Sequence, residues 1–536
     1  MKKLGVLLLA AAFAVFGLMT FAACNEETLD PGDDPIVTPE PDDPDDPDDP
    51  GKPEEPDDPD DPDDPGKPEE PDDPDDPDDP TPPDEPEATE GLEFELITTE
   101  SDEGFEEFFG EDFEDFYACI GMTAAEENVV IPSTYNGLPV RAVLGFDVEP
   151  EIANGITGFY IPDSVRLIQW NEYETFESLT EIRLPRNPNA MIAGGNYFSG
   201  CAFYNDPNNW EDGALYMDDW LLATNDDLPE EYTVKQGTYG IVVGAFMGSG
   251  AGYESHVKKV TVPDGIQSLV GSFNSCISLE EVVLPDSLSS IGFGAFVGCS
   301  SLESITIPDS VTSVGAGAFY TCDSLTSVTI PDSVTSIGYQ AFYDCHSLTS
   351  VTIGDGLTSI GYQAFEGCNS LTSINIPDSV TFIGYGAFSD TAYYNNASNW
   401  EDGVLYIGNH LIGAEETISG NFSVREGTKT IAGEAFAGCG SLTSINIPDS
   451  VTSIGSGAFY DCASLTNITI PDSVTSIGDG AFAWCSALTS IVIPDSVTFI
   501  GDGAFYWCIG LTSIVIPDNV TFIGDGAFLG LSLIHI

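Results

Sequence analysis

A fixed period of 23 residues runs through the second half of the chain and limits what the chain can fold into. An Ala-Phe pair marks each period, with its Phe at Phe296, Phe319, Phe342, Phe365 and Phe388, and again at Phe436, Phe459, Phe482, Phe505 and Phe528. A cysteine follows the same spacing at Cys276, Cys299, Cys322, Cys345, Cys368, Cys439, Cys462, Cys485 and Cys508. Such self-similarity indicates an array in which each unit stacks on the next.

One unit shows how the pattern predicts a coil. Ile445 and Ile447 alternate with polar residues, which predicts a short strand with one buried face. Pro448 ends this strand because proline has no amide hydrogen for a β-ladder. Ala458 and Phe459 then fit a short helical or 3-10 turn that closes the coil. Stacked units can bury these side chains at about 4.8 Å per coil, so the sequence predicts a repeat solenoid with a parallel β-sheet.

The pattern Leu-x-x-Ile-x-Ile-Pro followed by Ala-Phe-x-x-Cys resembles the BspA-like class of leucine-rich repeats over residues 91–530. The resemblance implies a curved solenoid on bacterial or parasite surfaces, commonly linked to adhesion to host matrix proteins or to other microbes. It implies no catalytic residue. Gly354 in place of the proline and Leu357 in place of the valine are mild departures from the pattern.

Two longer interruptions of the period match each other. Residues 203–216 read FYNDPNNWEDGALY and residues 393–406 read YYNNASNWEDGVLY, and each predicts a β-hairpin that projects between coils. They divide the array into a first block at 201–388 and, with the second insertion, a second block at 389–530. Residues 91–200 are the least regular and predict an N-terminal cap with degenerate repeats, which a solenoid needs at its open end.

The segments that flank the array predict export and anchoring. Residues 1–23 combine two lysines, an apolar run and a small-residue pair before Cys24, which resembles a lipoprotein-type signal peptide with Cys24 as the lipidated residue. Residues 24–90 are rich in Pro, Asp and Glu and predict a disordered, extended stalk that poorly organises calcium. We therefore expect the chain to be exported and lipid-anchored at the bacterial cell surface, on the outer membrane if the cell is Gram-negative.

The last six residues depart from the repeat. Residues 531–536 read LSLIHI, and we interpret them as a sequencing-adapter artefact. We accordingly expect His535 to have no functional role.

Charge and residue spacing exclude several kinds of function. The formal net charge is −77, and no Lys or Arg lies between Lys259 and Arg425, so the chain lacks the basic cluster of a nucleic-acid-binding protein. The twelve cysteines favour a buried ladder of thiols over disulfides, and no Cys or His spacing suggests zinc. No hydrolase elbow, phosphate loop or paired-carboxylate cleft is recognisable, so we predict neither enzymatic activity nor a cofactor.

Aromatic residues outside the apolar pattern are the candidate binding residues. They form rows at Tyr339, Tyr362 and Tyr385, at Tyr320, Tyr343, Tyr460 and Tyr506, and at Trp484 and Trp507. Such rows suit contact with a protein or a sugar, because rings supply area at low entropic cost. The alternative is that the rings only stack on one another and cover the convex side.

Three functions from different classes follow from these observations. The leading hypothesis is an adhesin-like protein that binds host matrix proteins or microbial surface polymers. The second is a glycan-capture or scaffold lipoprotein, which glycan binding by the aromatic rows would favour. A carbohydrate-active enzyme is the third, and hydrolysis of a polymer would be needed to support it.

Overall fold

The computed structural model describes residues 88–98, 114–123, 126–169, 176–194, 198–247 and 255–531. The described chain is a parallel β-solenoid of about 17 turns with almost no helix, which confirms the predicted fold class. The predicted signal peptide, Cys24, nearly all of the stalk and residues 532–536 lie outside the described residues. Within the described ranges, every helix is too short or too polar to cross a membrane.

Parallel coils begin before the regular period. The N-terminal elements are β1 (Leu92–Ile97), β2 (Phe116–Met122), β3 (Asn128–Val130), β4 (Thr134–Tyr135), β5 (Leu138–Asp147), α1 (Pro150–Ala153), β6 (Gly158–Tyr160), β7 (Leu167–Gln169), β8 (Glu181–Arg183) and β9 (Met191–Ile192). Strand β1 pairs antiparallel with β2, and β4 pairs antiparallel with β5. The other pairings, in the orders β2-β5-β7-β9 and β3-β6-β8, are parallel.

The first insertion follows these coils as a three-stranded antiparallel unit. Its elements are α2 (Ala202–Asn205), a 3-10 helix (Pro207–Asn209), β10 (Trp210–Glu211), β11 (Ala214–Met217) and β12 (Trp220–Thr224). The predicted hairpin is therefore present, but it does not simply project between coils. Its last strand, β12, pairs in parallel with the next coil and so belongs to the solenoid.

The first repeat block contains two strands per coil. In chain order they are β13 (Glu231–Thr233), β14 (Gly240–Ile241), β15 (Lys259–Thr261), β16 (Ser268–Leu269), β17 (Glu281–Val283), β18 (Ser290–Ile291), β19 (Ser304–Thr306), β20 (Ser313–Val314), β21 (Ser327–Ile330), β22 (Ser336–Ile337), β23 (Ser350–Ile353), β24 (Ser359–Ile360), β25 (Ser373–Ile374) and β26 (Phe382–Ile383). The odd-numbered strands form the long ladder, as β13-β15-β17 and β19-β21-β23-β25. The even-numbered strands from β16 to β26 form the short ladder, and each of them has two residues.

The second insertion and the second block repeat this plan. The elements are a 3-10 helix (Ala397–Asn399), β27 (Trp400–Glu401), β28 (Val404–Ile407), β29 (His410–Ala414), β30 (Ser419–Ser423), β31 (Thr430–Ile431), β32 (Ser441–Asn446), β33 (Ser453–Ile454), β34 (Asn467–Thr469), β35 (Ser476–Ile477), β36 (Phe499–Ile500) and β37 (Phe522–Ile523). Strands β30-β32-β34 continue the long-ladder pattern, and β29-β31-β33-β35-β36-β37 continue the short ladder.

The third side of each coil consists of hydrogen-bonded turns. The Phe459 amide donates to the Ala481 carbonyl of the next coil at 2.8 Å, and the Cys462 amide donates back to the Phe459 carbonyl at 3.2 Å. Asp461 lies between these bonds with a φ of 53°. The Cys462–Phe459 bond joins residues three apart, as in a single 3-10 turn, which agrees with the short turn that the sequence predicts. A left-handed residue cannot continue a right-handed helix, so the turn does not extend further.

Stacked side chains fill the interior. The repeat Phe rings stack with centroids 5.0 to 5.6 Å apart, as between Phe342 and Phe365 at 5.1 Å. All eleven cysteines of the described ranges are buried free thiols. The Cys345 thiol donates to the Phe319 carbonyl at 3.1 Å, and its neighbours repeat this bond. The predicted thiol ladder is therefore present.

Candidate binding surfaces

The nine predicted aromatic residues occupy three outward positions relative to the repeat Phe. Tyr339, Tyr362 and Tyr385 come three residues before it; Tyr320, Tyr343, Tyr460 and Tyr506 come one residue after it; and Trp484 and Trp507 come two residues after it. All nine are half-buried or exposed. They do not form one continuous surface, because some lie in the first block and the others in the second.

Tyr320 and Tyr343 form a stacked pair in the first block. Their ring centroids are 5.0 Å apart and the ring planes differ by 3°. Burial, reinforced by Glu366 and Asp344, raises the pKa of Tyr343 to about 12. Each ring covers one face of the other. The predicted stacking of rows on themselves therefore occurs at this pair.

The row at Tyr339, Tyr362 and Tyr385 ends at the junction of the two blocks. The Tyr362 and Tyr385 rings are 5.0 Å apart and tilted by 41°. The Tyr362 hydroxyl lies 3.1 Å from the Ser456 hydroxyl, 94 positions along the chain. The next coil has Gly433 at this place, where a Cβ would lie 2.6 Å from the Tyr385 amide nitrogen. Tyr362 thus connects the two blocks through its hydroxyl.

We call this junction the seam. The Gly433 amide donates to the Ile383 carbonyl at 2.8 Å, and the Ser453 hydroxyl donates to the Thr381 carbonyl. A groove of about 350 Å³, the seam groove, opens on the short-ladder side between Phe382 and Phe499. Sequence reasoning missed these two rings. The sequence does mark them: these two coils read Thr-Phe-Ile at a position where most other coils read Thr-Ser-Ile.

Trp484, Tyr506 and Trp507 form a ring cluster in the second block, which we call the Trp cluster. The two indoles stack with centroids 4.9 Å apart and planes 16° apart, and the Tyr506 ring lies 6.1 Å from Trp484. Trp484 is 39% and Trp507 42% exposed. A Cβ on Gly530 would lie 2.8 Å from the Trp507 ring, so the glycine makes room for the indole.

Both tryptophans have left-handed backbone conformations. The φ of Trp484 is 63° and that of Trp507 is 57°. Other coils place Gly, Asp, Ser or Thr here, as at Gly438 with 71°, Asp461 with 53° and Thr321 with 54°. A left-handed L-residue costs about 1–2 kcal/mol, and a bulky residue there is an outlier. The backbone therefore gives no reason for tryptophan, which points to a role for the rings themselves.

Apolar side chains surround the Trp cluster and continue around the last coils. Ile509 and Leu529 are 49% and 60% exposed on the turn side. Val492 and Val515 replace the Thr or Asn of earlier long-ladder strands and are 76% and 78% exposed. Large exposed apolar patches mark interaction sites on folded proteins.

The thiols and imidazoles offer little reactive chemistry. Burial raises the pKa of Cys439 and of Cys508 to about 12, so neither thiol is an activated nucleophile. His410 is fully buried, with Nδ1 2.7 Å from the Thr430 hydroxyl and Nε2 3.1 Å from the Pro377 carbonyl. Across the described ranges, no three His, Cys, Asp or Glu residues are grouped to hold a metal ion.

A second concave surface lies on the first insertion. It encloses about 540 Å³ and is lined by Tyr204, Trp210, Asp212 and Asp227, among others. The Trp210 indole donates to the Tyr204 carbonyl at 2.8 Å, as Trp400 does to Tyr394 at 2.7 Å. Because both insertions repeat this bond and the edge-to-face ring contact, these aromatic pairs are building elements of the insertion.

The model of the BspA type Leucine rich repeat region matches residues 266–395 and 415–535 in six copies. The repeat region of this chain therefore belongs to the BspA-type leucine-rich-repeat family, as the sequence pattern predicted. Proteins of this family are generally non-catalytic, and leucine-rich-repeat proteins commonly bind other proteins or ligands.

Several solved bacterial structures are similar to the chain. A leucine-rich repeat protein from Bacteroides ovatus is 28% identical over 58% of this chain and 87% of its own, with a TM-score of 0.30. A leucine rich cell surface protein from Faecalibacterium prausnitzii is 26% identical over 84% and 95%, with a TM-score of 0.26. A pneumococcal vaccine antigen is 19% identical over 62% and 79%, with a TM-score of 0.25. None of the curated proteins matches the chain.

Proposed function

We propose that this chain is a non-catalytic, adhesin-like protein of the bacterial cell surface that binds another protein through the Trp cluster. In this proposal Cys24 carries the lipid anchor, and residues 24–90 hold the solenoid away from the membrane. The partner is a host matrix protein or another surface protein. The observation that carries the proposal is the exposed pair of Trp484 and Trp507, held in a backbone conformation that disfavours tryptophan.

The surroundings of the Trp cluster favour a protein partner over a sugar. Each indole covers one face of the other, so a sugar ring would find at most the outer face of each indole. Ile509 and Leu529 extend the surface with aliphatic groups. A centre of Trp and Tyr within an apolar patch is typical of the few residues that dominate protein–protein affinity.

The charge of the chain narrows the choice of partner. No Lys or Arg follows Lys429, while Asp502 is exposed in the coil of Trp507 and Asp525 is exposed in the coil after it. A partner with basic residues around an apolar centre would meet complementary charge, which raises association rates more than final affinity.

The test is binding of the purified full chain to a panel of matrix proteins. A double variant, Trp484→Asp with Trp507→Gly, uses the residues that other coils place at this position. We expect binding to weaken about 30-fold, the loss typical of a residue that dominates an interface. Thermal stability should change little, because Gly removes the left-handed strain and Asp tolerates this conformation better than Trp, which offsets the lost ring contacts.

A matched control removes two stacked rings from the first block. Tyr320→Ser with Tyr343→Ser should leave binding unchanged, because this pair lies outside the Trp cluster. If the Trp variant binds like the original chain, or the Tyr variant loses binding equally, the proposed site is wrong.

A further inference from the structure

We propose that the seam groove is a second, separate binding site, which takes a neutral, extended polysaccharide chain. This site lies on the short-ladder side of the solenoid, at the join between the two repeat blocks. It does not depend on the protein-binding role of the Trp cluster.

The groove exists because two coils carry Phe and the coils between them do not. Ser453, Ser476 and Phe499 follow one another in register along the short ladder, and Phe382 ends the preceding block. The Ser453 hydroxyl donates to the Thr381 carbonyl, which brings the two blocks together. The coils that carry Thr430, Ser453 and Ser476 thus lie between Phe382 and Phe499.

The two end walls are aromatic. Phe499 stacks on Phe522 at 4.8 Å with planes 5° apart, so one face is covered. Its other face points toward Ser476, where the preceding coil has no ring. At the opposite end, Tyr362 packs edge-on against Phe382 at 5.6 Å. Aromatic rings offer an electron-rich face and apolar area, which suits the C–H surface of a pyranose ring.

The floor and sides present hydroxyl groups at the coil spacing. Ser453, Ser476, Thr452 and Thr475 line the groove. The Ser453, Thr452 and Thr475 hydroxyls already donate to backbone carbonyls, so each can only accept a hydrogen bond from a ligand. In the described chain, the Ser476 hydroxyl makes no hydrogen bond to another protein group. One Asp479 carboxylate oxygen accepts the Asp502 amide at 2.9 Å, which leaves its other oxygen to accept from a ligand. Ligand sites usually orient the ligand by a small number of polar groups placed within an apolar groove.

Charge selects a neutral polymer among the possible ligands. Asp479 is the one ionisable carboxylate among the groove-lining residues, and no Lys or Arg lines the groove. A polyanion would be repelled by a chain of net charge −77. A basic peptide would find a single carboxylate, whereas a polysaccharide can use the repeated hydroxyls and both ring walls.

The experiment titrates the full chain with short neutral gluco- and manno-oligosaccharides and, separately, with a lysine-rich peptide. Phe499→Ser introduces the residue of the two preceding coils, and we expect it to weaken oligosaccharide binding roughly tenfold. Phe522→Ser makes the same change one coil further on, outside the groove lining, and should leave binding unchanged. Trp484→Asp with Trp507→Gly should also leave it unchanged.

A second variant tests the groove without removing a ring. Ser476→Phe extends the Phe499–Phe522 stack by one coil and fills the floor, so oligosaccharide binding should be lost while the fold persists. Hydrogen exchange of the second block checks the fold of each variant. The proposal is overturned if no oligosaccharide binds the folded chain, if the peptide binds in its place, or if Phe499→Ser and Phe522→Ser have equal effects.

Discussion

The two insertions have closely similar sequences but different positions in the core. In the first, β11 and β12 contribute Ala214, Leu215, Leu221 and Leu222 to one continuous hydrophobic cluster. In the second, Leu405 and Ile412 belong to that cluster, whereas Val404 and Leu411 belong to another that fills the second block. The second insertion therefore separates two hydrophobic cores, and each of its faces packs against one of them. Similar sequences can thus continue one core or separate two, depending on the neighbouring coils.

One contacting pair of buried residues differs in chemistry between the two insertions. Strand β12 begins with Trp220, which lies opposite Gly240; strand β29 begins with His410, which lies opposite Thr430. A Cβ on Gly240 would lie 2.4 Å from the Trp220 ring, so this indole requires glycine. Thr430 instead bonds the smaller imidazole at 2.7 Å. Gly240 fits the Trp220 indole and Thr430 fits the His410 imidazole. A substitution that exchanges one ring for the other therefore has to change the opposite residue as well.

The two blocks differ in the same way on their outer surface. The position three residues before the repeat Phe is Tyr at Tyr339, Tyr362 and Tyr385, but Asp at Asp479 and Asp502. The interior pattern is unchanged across both blocks. The coil therefore fixes the core, while its outward positions can change from aromatic to acidic without altering the fold.

The largest effect should come from emptying either core. Phe319→Ala and Phe459→Ala each remove a fully buried ring from a continuous stack and should lower the unfolding free energy by about 3–5 kcal/mol. Because β28 and β29 separate the cores, each substitution should mainly weaken its own block. Hydrogen exchange followed along the chain measures this.

The control for these two core substitutions removes an aromatic ring from the surface instead. Tyr460→Ala removes a side chain that is 45% exposed and should change stability by about 0.5 kcal/mol or less. Equal loss of protection in both blocks after Phe459→Ala would show that the second insertion does not divide the solenoid into separately stable parts.

A smaller effect should follow from acidification at the second insertion. Burial lowers the pKa of His410 from its usual 6.5, so the folded chain holds this imidazole neutral. The unfolded chain takes up the proton first, so the stability contributed by neutral His410 is present above pH 6.5 and is lost as pH falls through the lowered pKa. Exchange measured between about pH 7.5 and 5.5 should show the second insertion weakening.

The first insertion has no imidazole at this place and provides the comparison. His410→Trp with Thr430→Gly transfers the Trp220–Gly240 pair to the second insertion and should remove the pH dependence. A pH response that persists in this double variant would have to arise from another group.

The smallest effect concerns the bond across the seam. Tyr362→Phe or Ser456→Ala removes a half-buried hydroxyl contact of 3.1 Å and should destabilise the chain by about 0.5–1.5 kcal/mol. In a double-mutant cycle the two effects should not add, because both variants lose the same bond. Additive effects would mean that the hydroxyls do not couple the blocks.

Much of this architecture could be predicted from residues close together in sequence. The 23-residue spacing of Phe319 and Phe342 predicted the coil, and the cysteine spacing predicted a buried thiol ladder. The pattern also predicted the short turn after Ala458, but it did not predict the left-handed state of Asp461, which depends on bonds to the next coil. The binding roles of the aromatic rows stay predictions.

The sequence by itself determined the period, the inward side chains and the position of both insertions, because these depend on a pattern that each coil repeats locally. Only the tertiary structure decided that Tyr362 meets Ser456, that β29 faces two cores and that Phe382 and Phe499 enclose a groove. These features join residues far apart in the chain. The way one block stacks on the next sets them, and the repeat within a single coil carries no record of that stacking.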